Sequence, residues 1–159
     1  MIRHQRAGFS LIELMVAMAI AGAIALFAFP RVSGAIARNS LRSAKQQLQS
    51  TIVVARAAAI QNGRTARFVR AGNVVRAYVE VSGGTLQPVG APVDLYADSK
   101  VTIETTSNTI RFDPRGFASG VVPSGANTSY QVIRLSRGAL TDSVCISPFG
   151  RISATGSCL

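Results

Sequence analysis

The sequence is poor in the residues on which most enzymes depend. Its 159 residues include no tryptophan and one histidine, His4, which lies ahead of a long apolar run near the N-terminus. The seven carboxylates show no paired or metal-ligand spacing, and there is neither a phosphate-binding loop nor a G-x-S-x-G nucleophile motif. Because general-base catalysis most often uses histidine, we expect a protein that is not an enzyme and that holds no cofactor and no metal.

Acidic residues are also few in comparison with cations. Lysine and arginine together number 17, of which 15 are arginine, and the formal net charge is +10. A balance this basic favours an anionic partner such as nucleic acid, acidic lipid headgroups or an acidic protein surface. It is equally typical of a surface that its charge keeps soluble, so composition leaves both interpretations open.

Only two cysteines are present, Cys145 and Cys158, both near the C-terminus. An even pair in an exported protein favours a disulfide, which would close a short loop and stabilise the fold by roughly 3 kcal/mol. Two thiols with no histidine nearby are half of a zinc site, so we expect no metal there.

Residues 9–29 form an apolar run with one charge, Glu13, and they follow a polar stretch that contains Arg3 and Arg6. As a helix this run is about 30 Å long, the thickness of a bilayer core. The preceding cations predict that the first residues stay cytoplasmic while the remainder crosses the membrane. A secretory signal peptide is disfavoured because the run is long and no small-x-small cleavage site follows it. A plain signal anchor explains the hydropathy but not Glu13, whose burial costs up to about 3 kcal/mol near mid-membrane.

The string Gly8-Phe9-Ser10-Leu11-Ile12-Glu13 closely resembles the class III signal of type IV pilins and type II secretion pseudopilins. The resemblance implies that a prepilin peptidase cuts after Gly8 and that the new N-terminal residue, Phe9, is N-methylated. It also implies that the Glu13 carboxylate pairs with the free amine of Phe9 on a neighbouring subunit. Two buried opposite charges tolerate an apolar setting better than either charge alone, so this pairing would set the register during assembly.

Pro30 directly follows the apolar run, and a proline at this distance from the cleavage point also resembles pilins. Proline inside a helix removes one hydrogen bond and introduces a kink. The helical pattern nevertheless resumes, because six apolar residues recur at spacings of three and four: Leu41, Ala44, Leu48, Ile52, Ala55 and Ala59. We therefore predict one long bent helix from Phe9 to about Gln61, ended by Asn62-Gly63.

Basic residues form a second stripe on this helix, about a quarter turn from the apolar stripe: Arg31, Arg38, Arg42, Lys45 and Arg56. One interpretation is a solvated face, with positive residues just outside the membrane. The other is contact with acidic groups of neighbouring subunits or of lipid. We favour the solvated face.

Short strands are predicted after Gly63. Residues 65–69 and 74–81 flank the turn signal Arg70-Ala71-Gly72-Asn73 and predict a hairpin. Further strands are expected at 92–96, 101–104, Thr109–Phe112, 130–135 and 142–146, with a long loop at 116–128. A helix followed by consecutive strands predicts an α+β fold in which the long bent helix packs on a mainly antiparallel sheet. The expected organisation is a leader (1–8), a transmembrane and filament-core helix (9–29), its amphipathic half (30–62) and a β-rich head (63–159).

Residues 110–118 and 145–152 look like the GspH/FimT branch of minor pseudopilins and minor pilins. This resemblance implies a single-pass inner-membrane protein with a periplasmic head, which joins other pilins or pseudopilins in a filament. Some FimT-like proteins are DNA receptors that use a C-terminal Gly-Arg-x-Arg element. The corresponding string here, Gly150-Arg151-Ile152-Ser153, lacks the second arginine.

Two functions are therefore expected. The first is a minor pilin or pseudopilin that acts at the initiation or the tip of a type IV pilus or a type II secretion pseudopilus. The alternative is a filament-tip receptor for double-stranded DNA, whose phosphates would meet cations of the head: Arg111, Arg115, Arg134, Arg137 and Arg151. The residues leave open whether the machine is a pilus or a secretion system, and whether the subunit is minor or major.

Overall fold

The computed structural model describes residues 10–105, 107–119 and 130–153, without the side chains of residues 27–30. It divides into two compact units, Met1–Ile36 and Ala37–Leu159. Helix α1 extends from Leu11 to Asn62, and its backbone is helical at position 30. The predicted continuation of the helix past Pro30 is therefore confirmed, whereas the bend stays a prediction.

The C-terminal end of α1 is defined by Asn62-Gly63, as predicted. Gly63 adopts a positive φ of 60°, a conformation that glycine reaches without a steric cost. The Gly63 N–H donates to the Ile60 carbonyl (3.3 Å), and the Arg64 N–H donates to the Ala59 carbonyl (3.2 Å). These two bonds form a Schellman motif, which satisfies carbonyls that would otherwise lack a partner at the helix end.

Nine strands and a second, short helix follow α1 in the described residues. They are β1 (Ala66–Ala71), β2 (Val74–Glu80), β3 (Leu86–Asp94), α2 (Leu95–Ser99), β4 (Thr102–Thr105), β5 (Thr109–Phe112), β6 (Ala118–Ser119), β7 (Gln131–Arg137), β8 (Leu140–Ile146) and β9 (Ile152–Ser153). Strands β5, β4, β7 and β8 lie at the predicted positions to within one or two residues.

The strands form two antiparallel sheets. The larger has the order β3-β2-β1-β5-β6, and the smaller has the order β4-β7-β8-β9. The predicted β1–β2 hairpin is confirmed, although its turn is only Gly72 and Asn73 because Ala71 already pairs with Val74. The α+β fold with an antiparallel head is thus confirmed, and the strands are divided between two sheets.

The strand predicted at 92–96 is partly wrong. Strand β3 begins earlier, at Leu86, and Tyr96 lies in α2 rather than in a strand. The Asp94 carboxylate accepts hydrogen bonds from the backbone N–H groups of Tyr96 and Ala97, each at 3.0 Å. This N-cap starts a helix where the sequence had suggested continued extended chain. The two prolines of β3 are tolerated because β3 is an edge strand, where a missing N–H breaks no ladder bond on the open side.

The loop predicted at 116–128 is also partly wrong, because β6 lies within it. Strands β6 and β9 have two residues each, which is too short to show an alternating pattern in the sequence. Residues 120–128 of the predicted loop lie outside the described residues.

The core of the second unit is built on the apolar stripe of α1. All six predicted stripe residues are buried. They join one cluster with side chains of the larger sheet, such as Phe68 and Phe112, and of the smaller sheet, such as Ile133 and Leu135. The amphipathic half of α1 therefore packs on the β-rich head, as the spacing predicted.

Two adjacent residues of α1 test this packing. Ile52 is fully buried, whereas Val53 on the next position is 53% exposed. We expect Ile52→Ala to lower the free energy of unfolding by about 2–5 kcal/mol, since it removes methyl groups and leaves a cavity. Val53→Ala is the matched control and should change stability by no more than about 0.5 kcal/mol.

The measurement is a urea titration of the full chain in detergent, followed by circular dichroism. Equal losses for the two variants would contradict the assignment of the stripe to the core.

Candidate assembly and interaction surfaces

The N-terminal part of α1 exposes apolar side chains. Leu11, Met18 and Leu26 are all more than two-thirds exposed. A stretch of this helix is long and apolar enough to cross a membrane, by length and composition. Its mean hydropathy is 2.4, and none of the stretch is buried within the chain. An exposed apolar surface of this size is unfavourable in water.

Glu13 lies in the first turn of α1 and is the one acidic residue in that turn. Its backbone N–H donates to the Ser10 carbonyl at 3.1 Å. The cleavage site at Gly8 and Phe9, and with it the amine predicted to pair with Glu13, lies outside the described residues. The roles assigned to Gly8, Phe9, Glu13 and Pro30 therefore stay predictions.

The basic stripe of α1 does not act as a single surface, and this corrects the expectation of one solvated face. Lys45 donates to the Asp142 carboxylate of β8 at 2.7 Å, in a pair whose side chains are only 12% and 29% exposed. Arg56 donates from Nε to the Gly116 carbonyl (3.1 Å) and from Nη2 to the Phe149 carbonyl (3.4 Å). Both side chains therefore bind the head of their own chain, while Arg38 and Arg42 stay exposed.

Two tight turns lie beside Arg56. The first follows β5, and its Asp113 carboxylate accepts the backbone N–H groups of Arg115 and Phe117, each at 2.9 Å. The second follows β8, where the Ser147 hydroxyl accepts the backbone N–H of Arg151 at 3.1 Å. Each turn is thus closed by a side chain that replaces missing backbone partners.

The two turns are also tied to each other. The Ala118 N–H donates to the Pro148 carbonyl at 2.8 Å, and Arg56 bridges both turns as described above. A Cβ atom on Gly150 would lie 2.2 Å from the Gly116 carbonyl oxygen. Only glycine therefore allows the turns to approach this closely.

The paired turns display two aromatic rings. Phe117 and Phe149 lie in edge-to-face contact, with ring centroids 6.0 Å apart at an interplanar angle of 63°. They are nevertheless 42% and 71% exposed, and Ile60 of α1, close to Gly116, is 50% exposed. The Arg115 guanidinium lies 5.7 Å from the centre of the Phe117 ring. We call Ile60, Phe117 and Phe149 the aromatic patch.

Asp113 holds a charge at the base of this patch. Partial desolvation acts to raise the pKa of Asp113. The backbone N–H groups of Phe117 and Arg115 and the nearby Arg115 guanidinium act in the opposite direction and dominate, so the pKa is lowered below its ordinary value of 3.8. The hydrogen bonds that close the first turn thus also stabilise the ionised form of this carboxylate.

The five arginines predicted to contact DNA lie on different elements. Arg115 and Arg151 belong to the two tied turns and are exposed, and Arg111 is exposed on β5 of the larger sheet. Arg134 and Arg137 lie on β7 of the smaller sheet. The structure thus groups Arg115 with Arg151 on the tied turns, and Arg134 with Arg137 on one strand of the other sheet.

Sequence reasoning missed the aromatic patch and the bridging role of Arg56. The strings Arg115-Gly116-Phe117 and Phe149-Gly150-Arg151 do mirror one another, with glycine between phenylalanine and arginine. That symmetry was the available signal, but it does not by itself show that the two strings meet.

Cys145 is fully buried in β8. Its predicted disulfide partner, Cys158, lies outside the described residues, so the pairing stays a prediction. In the part of the chain that the structure describes, no group of three or more histidine, cysteine or acidic residues is placed to hold a metal ion.

The exposed apolar start of α1 and its second half packed on antiparallel sheets define a pilin-like class of protein. The structure is similar to two crystal forms of the type IV minor pilin FimU of Pseudomonas aeruginosa. One matches with a TM-score of 0.60 and 17% identity over 74% of this chain and 90% of FimU. The other matches with 0.55 and 16% over 74% and 99%. Identities this low show the fold alone.

Family comparison adds the sequence relationship. Residues 3–29 match the prokaryotic N-terminal methylation motif, and residues 44–150, more than half of the chain, match the family described as type II transport protein GspH. A direct search among curated proteins finds no match. The chain belongs to the GspH family, and it carries the methylation motif of prepilins.

The close approach of the two turns can be tested with matched glycines. Gly150 and Gly138 have similar positive φ values, 72° and 59°, so alanine at either position costs about 1–2 kcal/mol of backbone strain. A Cβ at Gly138 meets nothing within 4 Å, whereas one at Gly150 collides with the Gly116 carbonyl. We expect Gly150→Ala to lose roughly 1–3 kcal/mol more stability than Gly138→Ala, since the added atom overpacks the contact.

Thermal unfolding of the two full-length variants in detergent measures the difference. Equal losses would show that the turns are free to separate.

Proposed function

We propose that this protein is a minor pilin or pseudopilin, which is cut after Gly8, methylated on Phe9 and built into a type IV pilus or a type II secretion pseudopilus at its initiation or tip. The observation that carries the proposal is the division of α1. Its first part is apolar and exposed, whereas its second part is buried in the head. One helix thus presents an apolar surface to other molecules through its first part and packs on the head of its own chain through its second part.

The same division supports an anchored intermediate. The apolar stretch would hold the unassembled subunit in the inner membrane, and the cations ahead of it would keep the leader cytoplasmic and place the head in the periplasm. Packing of many such helices in a filament would then replace lipid as the apolar surroundings of Leu11 and its neighbours.

Glu13 supplies the specificity of that packing in our proposal. Its carboxylate is expensive to bury without a partner, and the amine exposed on Phe9 by cleavage is a partner of opposite charge. A neighbouring subunit in the wrong register would leave both charges unpaired in an apolar setting, which costs far more than a paired arrangement.

The test compares Glu13→Gln with Glu80→Gln in the full chain, expressed in cells that lack the native copy. Glu80 lies in the head, where it accepts from Arg67 at 3.1 Å. We expect mass spectrometry to show both variants beginning at a methylated Phe9, but only Glu13→Gln to be depleted about tenfold or more from the filament fraction, because one buried charge then lacks its partner.

Two results would overturn the proposal. One is protein from cells that still carries residues 1–8, and the other is incorporation of Glu13→Gln at the level of the unaltered protein. Loss of pili or loss of secretion in a deletion strain distinguishes the two machines.

A second candidate function is that of a filament-tip receptor for double-stranded DNA. Its support is the set of exposed cations on the head, in particular Arg111, Arg115 and Arg151. Arginines of this kind bind phosphate without sequence preference, and such binding weakens steeply as salt concentration rises.

DNA binding of the detergent-solubilised full chain, measured at two salt concentrations, tests this function. If the head is a receptor, affinity should fall steeply between 50 and 200 mM salt and should fall further in Arg151→Ala. Arg64→Ala removes an exposed arginine that bonds the Ser82 hydroxyl and serves as the control of equal charge. Absence of binding at the lower salt concentration would eliminate the candidate.

A further inference from the structure

We propose that the aromatic patch and the two arginines beside it, Arg115 and Arg151, form a preformed docking surface for an acidic subunit of different sequence in the same filament. This inference rests on the assembly role proposed above. It extends that role by naming the surface that makes the contact and the chemistry of the chain that is bound.

Hydrogen bonds within the chain hold this surface rigid before any partner binds. Asp113 and Ser147 each close one turn through hydrogen bonds to backbone N–H groups. Arg56 and the Ala118–Pro148 bond join the two turns. A surface ordered in advance loses little conformational entropy on binding, so more of the contact energy becomes affinity.

This rigid framework exposes apolar side chains to water. Phe149 is the most exposed aromatic ring of the described residues, at 71%, and its neighbour Phe117 is 42% exposed. The rings take no part in the hydrogen bonds that close the turns, which are made by backbone and polar side-chain atoms. Aromatic residues that stay exposed on a fixed framework are typical of interaction surfaces.

Arg115 and Arg151 place positive charge beside the rings. Arg115 is 81% exposed at its side chain, and Arg151 is exposed with no acidic partner among the described residues. Asp113, the carboxylate nearest in the chain, already accepts two backbone N–H groups and contacts Arg115 at 3.4 Å. The matching surface is therefore apolar at its centre and carries carboxylates at its edge, where arginine can bind them through two hydrogen bonds.

A second copy of this chain supplies too few carboxylates to be the partner. All seven acidic residues of the sequence lie at described positions. Four of them are engaged within the chain, namely Glu80 with Arg67, Asp142 with Lys45, Asp113 in its turn and Asp94 as the cap of α2.

Two of the three other carboxylates are poorly suited. Glu13 lies in the apolar part of α1, and Glu104 lies opposite Arg134 in the β4–β7 pair, which leaves Asp98. Since the chain is strongly basic, two copies would also repel each other. Charge complementarity thus favours a partner of different, acidic sequence.

Duplex DNA fits this surface less well than an acidic protein does. Its phosphates would match Arg115 and Arg151, but a duplex buries its bases and offers the Phe117 and Phe149 rings no apolar surface. A protein surface combines apolar and carboxylate groups within the same few ångströms, as this site requires.

The experiment places the photoreactive residue p-benzoylphenylalanine at position 149 of the full chain, in cells that lack the native copy. The substitution suits the site because the Phe149 ring is exposed, and because Phe149 accepts the Arg56 hydrogen bond through its backbone carbonyl, which the substitution keeps. The matched control carries the same residue at position 96, since Tyr96 is an aromatic residue of the head with 49% exposure. The filament fraction is irradiated, and adducts are identified by mass spectrometry with and without nuclease.

We expect position 149, but not position 96, to give an adduct with a different polypeptide, attached close to aspartate or glutamate residues. Adding Arg151→Glu should lower the yield about tenfold, because an attractive charge pair becomes repulsive. Arg64→Glu makes the same change in net charge away from the patch and should leave the yield unchanged.

Several results would overturn the inference. They are an adduct with a second copy of this chain, an adduct that nuclease removes, and a yield at position 149 no higher than at position 96. If processing at Gly8 and filament incorporation are normal in these cases, the assembly role stands and only the docking surface is lost. If the leader is retained and the chain is missing from filaments, both proposals are lost together.

Discussion

The head depends on the burial of one face of α1. The apolar stripe from Leu41 to Ala59 packs against side chains of both sheets, and together they form a single buried cluster. Three of its six residues are alanine, whose small side chains let the helix backbone lie close to the strands at the density of a protein interior. This half of α1 is therefore part of the core of the head.

The same helix face orders the charged groups around it. Lys45 and Arg56 lie beside the buried stripe on α1, so packing of the stripe places both side chains against the head. There, the Asp142 carboxylate forms an ion pair with the Lys45 ammonium group. Two backbone carbonyl oxygens accept hydrogen bonds from the Arg56 guanidinium group. Arginine suits the second position because its planar group directs several N–H donors at once. A pattern that looks like a solvated basic face on the helix alone thus becomes part of the internal framework of the head.

In our proposals, function divides along the chain in the same way. The apolar part of α1, with Glu13, would unite many subunits through a shared interior. The turns beside Arg56 offer a smaller and more individual surface, in which Phe117 and Phe149 are displayed rather than buried. If both proposals hold, the common interior gives the filament cohesion and the particular surface gives this subunit its position.

Local patterns were sufficient for most features that depend on neighbours in sequence. The spacing of apolar residues determined α1, Asn62-Gly63 determined its end, and residues 8–13 determined the resemblance to prepilins. Alternation predicted β5, β7 and β8 and the β1–β2 hairpin, but it failed at Tyr96, where the Asp94 cap starts a helix. The two-residue strands β6 and β9 carried too little pattern to be seen. Tertiary structure alone decided the aromatic patch, because Arg56, Gly116 and Gly150 are far apart in sequence and meet only when both sheets pack on α1. Interactions between residues close in sequence can be predicted from the sequence itself, whereas a contact between distant residues exists only once the core has formed.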